Sequence, residues 1–173
     1  MNADGLTFDE VLRNLGMSHK SKTMPNGEKR FAVALSSGEE LMIVITVAGP
    51  EGAWQQAHYH GGQAALAGRS RAGITEHYKV WSGWMAAAVP GKGGDLSPEV
   101  TLLSEGDQVS FSPGECHNIY LPAGAVIVTL KVGTPVGNPH RKEADWWPAP
   151  QLDQATQLIT EADLRNLVDL RAG

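Results

Sequence analysis

His58 and His60 stand two apart behind a glycine, in the pattern Gly52-x5-His58-x-His60. Residues i and i+2 of an extended strand share a face, because successive side chains alternate. Both imidazoles would therefore point the same way. Glu76 follows in Glu76-x6-Gly83, and a third histidine closes Gly106-x7-Gly114-x2-His117. If Glu76 and His117 lie on neighbouring strands of a rolled sheet, three imidazoles and a carboxylate converge on one interior point. Such a donor set suits a divalent transition metal that keeps coordination positions open. The function of the chain is then whatever that centre does.

Tyr78 and Lys131 are the acid/base candidates beside such a metal. Tyr78 shares a face with Glu76 on a regular strand, whereas His77 alternates away and reads as a surface histidine. Val126, Val128, Leu130 and Val132 form one face of the last strand, with Ile127, Thr129 and Lys131 on the other. An inward Lys131 would be a buried amine with a lowered pKa and a catalytic use. An outward one would be a solvated charge, and the apolar face opposite it favours that outward reading. Cys116 should face away from His117 and be buried. His19 and His140 lie outside the pattern and read as incidental. Trp54, Trp84, Trp146 and Trp147 read as core or interface residues.

The elements that must position these residues are short strands. Arg30–Leu35 and Glu40–Val47 read as strands joined by a turn at Ser36-Ser37-Gly38. Further strands are predicted over Trp54–His60, Thr75–Trp81, Gly83–Val89, Glu99–Leu103, Gln108–Phe111, His117–Leu121 and Ala125–Val132. Gly and Pro punctuate nearly every gap, as in Pro90-Gly-Lys-Gly-Gly94 and Pro113-Gly114. Many short strands without intervening helices argue for a sandwich or barrel. Before them, Thr7-Phe-Asp-Glu10 forms a capping box with a Leu6/Val11 staple. It opens a short helix whose Phe8, Val11, Leu12 and Leu15 share a face, ended by Gly16. After Gly133 the chain turns irregular, with Asp145-Trp-Trp-Pro148 expected to pack across the barrel. A last helix is expected from Thr160, with an Ile159/Leu164 staple and Leu164, Leu167 and Val168 on one face. The organisation expected is 1–28 as helix and lead-in, 29–133 as the barrel, and 134–173 as a segment packed upon it.

Bulk properties narrow the function classes. A chain of 173 residues with 42% hydrophobic residues can bury one real core. Its net charge of −5, without a basic stripe, argues against a nucleic-acid partner. The run Leu41–Ala48 is far too short to span a bilayer. The start Met1-Asn-Ala-Asp-Gly5 lacks the regions of a signal peptide, and a single cysteine fits a reducing compartment. A cytoplasmic protein with no membrane association is expected.

Taken together, these residues resemble the cupin superfamily. Its first motif reads G-x5-H-x-H-x(3 or 4)-E-x6-G, which Gly52, His58, His60, Glu76 and Gly83 match in order, with both outer spacings kept. Its second reads G-x5-P-x-G-x2-H-x3-N. Gly106, Gly114 and His117 keep that spacing, while the proline falls one place late at Pro113 and Leu121 stands where the asparagine belongs. The resemblance covers Arg30 to Val132. It departs between His60 and Glu76, where Gly61 to Thr75 replace a tight hairpin. That insertion, with Arg69 and Arg71 among its glycines, reads as a solvated loop, or as a flap whose arginines hold an anion.

The resemblance implies an all-β cupin jelly-roll barrel of two antiparallel sheets with short helices at both ends. It also implies a homodimer, for which the long apolar strand Leu41–Val47 is the support in the chain itself. It implies one divalent metal (Fe, Mn, Ni, Zn, Co or Cu) on His58, His60, Glu76 and His117, and a small-molecule substrate. The first reading is a metal-dependent enzyme on a small polar metabolite, placed as a dioxygenase because open sites facing an apolar barrel suit oxygen chemistry. The second is a metal-assisted isomerase, epimerase or lyase of a sugar or sugar nucleotide, which requires Arg69, Arg71 or Lys131 near the metal. The third is a non-catalytic small-molecule-binding cupin.

Overall fold

Strand-forming residues broken by glycine and proline resolve into a jelly roll. The computed structural model describes residues 8–35, 41–61, 73–91, 97–134 and 148–172. Helix α1 (Phe8–Asn14) leads into strands β1 (Lys20–Thr23), β2 (Lys29–Ala34), β3 (Leu41–Val47) and β4 (Ala53–Trp54). Then come β5 (Gly73–Ser82), β6 (Trp84–Val89), β7 (Glu99–Ser104), β8 (Gln108–Phe111), β9 (Asn118–Leu121) and β10 (Val126–Thr134). Helices α2 (Ala149–Gln157) and α3 (Glu161–Ala172) follow. No helix among the described residues is long and apolar enough to cross a membrane.

The strands form two antiparallel sheets, a six-stranded one ordered β1-β2-β3-β10-β5-β8 and a four-stranded one ordered β4-β9-β6-β7. β10 inserts between β3 and β5, a long-range pairing of the kind a jelly roll requires. Side chains alternating inward from both sheets make the core: Tyr78, Val80, Met85, Leu103, Phe111 and Ile119 among them. The opposite face of the smaller sheet, with Trp54, Ala86, Ala88 and Tyr120, is covered by Ala149, Leu152 and Leu164 of the C-terminal helices. Leu12 of α1 packs on the outward Phe31 and Val33 of β2. Burying a leucine of this kind contributes about 1.5–3 kcal/mol.

The larger sheet is two strands wider than the smaller. The inward face of its β1–β2–β3 edge therefore borders a cavity lined by Arg30, Ala32, Met42, Val44 and Thr46.

Some expectations are corrected. The strand expected over Trp54–His60 is regular only at Ala53–Trp54, and beyond it His58 and Tyr59 keep isolated bridge pairing, His58 with His117. Leu15 and Leu167, expected on buried helix faces, are 67% and 40% exposed. The first lies beyond the last residue of α1, and the second is turned from the face that buries Leu164. Two elements were not foreseen. β1 is a Lys-Ser-Lys-Thr strand with all four residues exposed, so it carries no hydrophobic alternation. α2 starts between two prolines, which the first helical turn tolerates because its amides lack intrahelical partners anyway. The Thr7 capping box, the 36–38 turn, the two arginines of the insertion, His140, Trp146 and Trp147 lie outside the described residues.

Candidate metal centre

Each histidine reaches the interior by a different local device. His58 and His117 exchange both backbone hydrogen bonds across their bridge, His58 N to His117 O at 3.0 Å and His117 N to His58 O at 2.9 Å. That pairing aligns two segments that lie outside the regular strands. Gly114, at φ 84°, turns the chain ahead of His117, and its amide donates to the His60 carbonyl at 2.7 Å. A side chain at that φ would be strained, which accounts for glycine at this spacing. Glu76 comes from β5, directly opposite Lys131 of β10 and Phe111 of β8.

The four side chains meet in the interior, all between 0% and 2% exposed. Glu76 Oε2 lies 3.0 Å from His117 Nε2, 3.5 Å from His58 Nε2 and 3.4 Å from His60 Nε2. One donor atom each from His58, His60 and Glu76 falls within 4.8 Å of the others. The insertion before Glu76 has not displaced it from the histidines. The Phe111 ring stacks on His117 with centroids 4.0 Å apart and 4° between planes, fixing that imidazole.

Ring tautomers decide what this cluster can hold. His58 Nδ1 lies 2.8 Å from the Gln56 carbonyl and His117 Nδ1 lies 3.0 Å from the Glu115 carbonyl. A carbonyl only accepts, so both Nδ1 atoms carry a proton, and both Nε2 atoms are left facing the carboxylate, which can share a proton or a metal ion with them. His60 Nε2 makes no hydrogen bond among the described residues. Three imidazole Nε2 atoms at 3.0–3.5 Å from one carboxylate oxygen need a shared cation, a proton or a metal ion, to sit so close. Nδ1 held by a carbonyl with Nε2 free is also the arrangement of metal-ligating histidines. The residues present fit a metal ion.

The surrounding charges support this. Burial works to raise the Glu76 carboxyl, but contacts with His117, His58 and His60, and then the Lys131 ammonium, outweigh it and hold it well below the usual range. The carboxylate is therefore charged and available as a donor. Burial lowers His60, against the pull of Glu76, and keeps its ring neutral. Tyr78 donates to Glu76 Oε2 at 3.1 Å. Burial, and then the Glu76 charge, push its phenol well above the ordinary value, so it stays a neutral donor.

Lys131 is where the outward reading is overturned. Its Nζ pairs with Glu76 Oε1, and its side chain is 13% exposed. The cause is register. Lys131 sits opposite Glu76 across the β10–β5 ladder, and opposed residues share a face. His77, Cys116 and Trp54 sit where their strand positions place them. His77 is exposed and contacts Ser110 Oγ at 2.7 Å. Cys116 is buried away from the centre, its thiol pushed up to about 12 by burial and then by Asp153. Trp54 is a core residue that donates to the Ile159 carbonyl at 3.0 Å.

The cavity of about 350 Å³ beside the centre is lined by Glu76, Tyr78, Thr129 and Lys131 and extends to Arg30, Lys20 and Lys22. The last three were not singled out by spacing. The alternation Lys20-x-Lys22 is the signal that was available for two of them.

No family model and no curated protein matches this chain. Solved structures do. An oxalate decarboxylase from Bacillus subtilis, a protein with Mn(II) centres, is similar at 16% identity and a TM-score of 0.53, over 87% of this chain and 37% of that one. Vicilin from hazelnut, Corylus avellana, is similar at 14% identity and a TM-score of 0.50, over 72% of this chain and 33% of that one. An RmlC-like cupin from Shewanella frigidimarina matches at 19% identity and a TM-score of 0.49, over 68% of this chain and 86% of that one. The chain spans about a third of the length of the first two. It has the cupin fold, as its motifs implied. At these identities the likeness speaks for the fold alone.

Proposed function

We propose that this chain is a metal-dependent enzyme acting on a small polar metabolite by Lewis-acid and proton-transfer chemistry, in the manner of an isomerase, epimerase or lyase. The observation that carries the reading is the convergence of three imidazole Nε2 atoms on one oxygen of Glu76, the residue of that cluster that also lines a cavity with Lys131. His58, His60 and His117 through Nε2, and Glu76 through Oε2, would hold the metal. The bound ion would polarise a substrate oxygen.

The chain's own residues divide the remaining work. Phe111 and the Gln56 and Glu115 carbonyls fix the imidazole rings. Tyr78 pins the Glu76 oxygen that faces the histidines, and as a neutral phenol it does not act as a base. Lys131, on the cavity wall and partnered by the other Glu76 oxygen, is the group placed to give or take a substrate proton. An ammonium at that position also stabilises negative charge that develops on the substrate.

The dioxygenase reading rested on a site facing an apolar barrel. The wall does hold Ala32, Met42, Val44 and Ile127, but Lys131, Arg30, Lys20 and Lys22 share it. A cation beside the centre is what the isomerase or lyase reading requires, which moves that reading to first place.

Elemental analysis of chelator-free protein, wild type and His58→Ala, tests the centre. A stoichiometric first-row metal in the wild type and its loss in the variant are expected. No metal after reconstitution would end the catalytic reading and leave a binding protein. Oxygen uptake with a turned-over substrate would restore the dioxygenase.

A further inference from the structure

The cavity continues away from the metal centre along the inward face of β1 and β2. We infer that it takes a metabolite whose far end carries an anionic group, a carboxylate or a phosphate, and that Arg30 grips that group. The inference rests on the metal-centre reading for the near end of the ligand. The far end stands on its own residues.

Strand pairing collects the charge. Lys20 and Lys22 of β1 sit opposite Ala32 and Arg30 of β2, so all four share the inward face. The four-stranded sheet is too narrow to cover that face, which leaves it open to the cavity. Lys20, Lys22, Arg30 and Lys131 thus line one cavity in a chain whose net charge is −5. The acidic residue on the same wall is Glu76, already paired with Lys131. Arg30 and Lys131 each keep a carboxylate partner, Glu28 and Glu76, and Lys22 adds a further cation to the wall where a ligand would enter. Low-dielectric walls focus such a field on a small anion.

Arg30 is held for the task. Its Nε pairs with Glu28, a carboxylate 3% exposed. Glu28 is fixed in turn by Gln55 Nε2 at 3.2 Å and, through its own amide, by Asn26 Oδ1 at 3.2 Å. With Nε so engaged, the two Nη groups remain as a planar fork, the geometry that takes carboxylate or phosphate oxygens in pairs. Gln55 also lines the cavity and adds a neutral donor. Between the two ends, Ala32, Met42, Val44 and Ile127 form an apolar middle. A cavity of about 350 Å³ is at the small end for ligand sites, so the ligand is a metabolite of short carbon skeleton with polar ends.

Calorimetric titration of the metal-supplemented full chain with inorganic phosphate, and separately with succinate, tests the inference. Saturable binding of at least one probe is expected, and which one binds separates a phosphate from a carboxylate ligand. Arg30→Gln should weaken that binding about tenfold or more, the worth of a charge-assisted pair, with metal content unchanged. Because Arg30→Gln leaves Glu28 buried without its partner, the Glu28→Gln/Arg30→Gln double variant and the exposed-site variant Lys22→Gln are titrated beside it. Wild-type affinity in a folded Arg30 variant overturns the inference. If neither Arg30 variant folds, Lys22→Gln decides. Weaker binding with a shallower salt dependence supports the inference, and unchanged affinity overturns it. A metal-bearing chain that ignores both anions refutes this inference alone. A metal-free chain that still binds an anion through Arg30 refutes the metal centre alone.

Discussion

At the residue scale, the centre is a problem of orienting lone pairs. His58 and His60 were legible because an i, i+2 pair behind a glycine constrains both face and position. His117 was legible because Gly114 sets the turn before it. Lys131 was misread for a physical reason. The β10 sequence is apolar on the face opposite Lys131, and a single strand does not reveal which face its neighbours bury. Only the partner Glu76 settles it. Tyr78 carries a prediction at this scale. Its phenol spends its proton on Glu76 Oε2 at 3.1 Å, so Tyr78→Phe removes an outer hydrogen bond without touching a proposed ligand. Metal affinity should fall about tenfold, the lower end for outer-shell partners of metal ligands, with the fold unchanged. Competition against a chromophoric chelator measures this. Equal affinity in the two proteins would show that Tyr78 does not tune Glu76.

At the element scale, the C-terminal helices fasten onto the smaller sheet through polar contacts set in an apolar interface. Asn118 of β9 donates to Thr156 Oγ1 of α2 at 2.8 Å, and Tyr120 donates to Glu161 of α3 at 2.6 Å. Thr160 and Asp163 cap α3 reciprocally, with Asp163 N to Thr160 Oγ1 at 3.2 Å and Thr160 N to Asp163 Oδ2 at 2.9 Å. The sequence displayed α3 by its start at Thr160 and the Ile159/Leu164 staple, without the part Asp163 takes in the cap. It did not display α2, whose prolines read as irregular chain, nor β1, whose residues alternate without an apolar face. Gly52, which the motif spacing singled out, belongs to this interface. A Cβ there would lie 2.0 Å from the Tyr120 hydroxyl and 2.7 Å from the Glu161 carboxylate. Gly52→Ala therefore has to push Tyr120 off Glu161, and overpacking of this kind costs about 1–3 kcal/mol. Chemical denaturation should show that loss, and pairing with Tyr120→Phe should make the two effects less than additive. Additive losses would mean that Gly52 is needed for something other than room for the tyrosine.

At the scale of the whole molecule, the centre draws its residues from both sheets of the barrel. Glu76 belongs to the larger sheet, while His117 leads directly into β9 of the smaller, and His58 and His60 follow β4 of the same sheet. A cation shared among them would link the sheets at the point where these residues meet. Metal binding should therefore register as global stability and not only as local order. Ligand bound to the native state alone stabilises it by about 2.7 kcal/mol at a hundredfold excess over its dissociation constant. For a chain of this length that corresponds to a rise in Tm of roughly 5–10 °C. Chelation should lower the calorimetric Tm by that amount, and restoring the metal should recover it. His58→Ala should melt at one temperature with or without metal. Identical melting of the wild type before and after chelation, with metal loss verified by elemental analysis, would show that the sheets do not depend on the ion. The His–Glu cluster would then have to be balanced by a proton and by Lys131 instead.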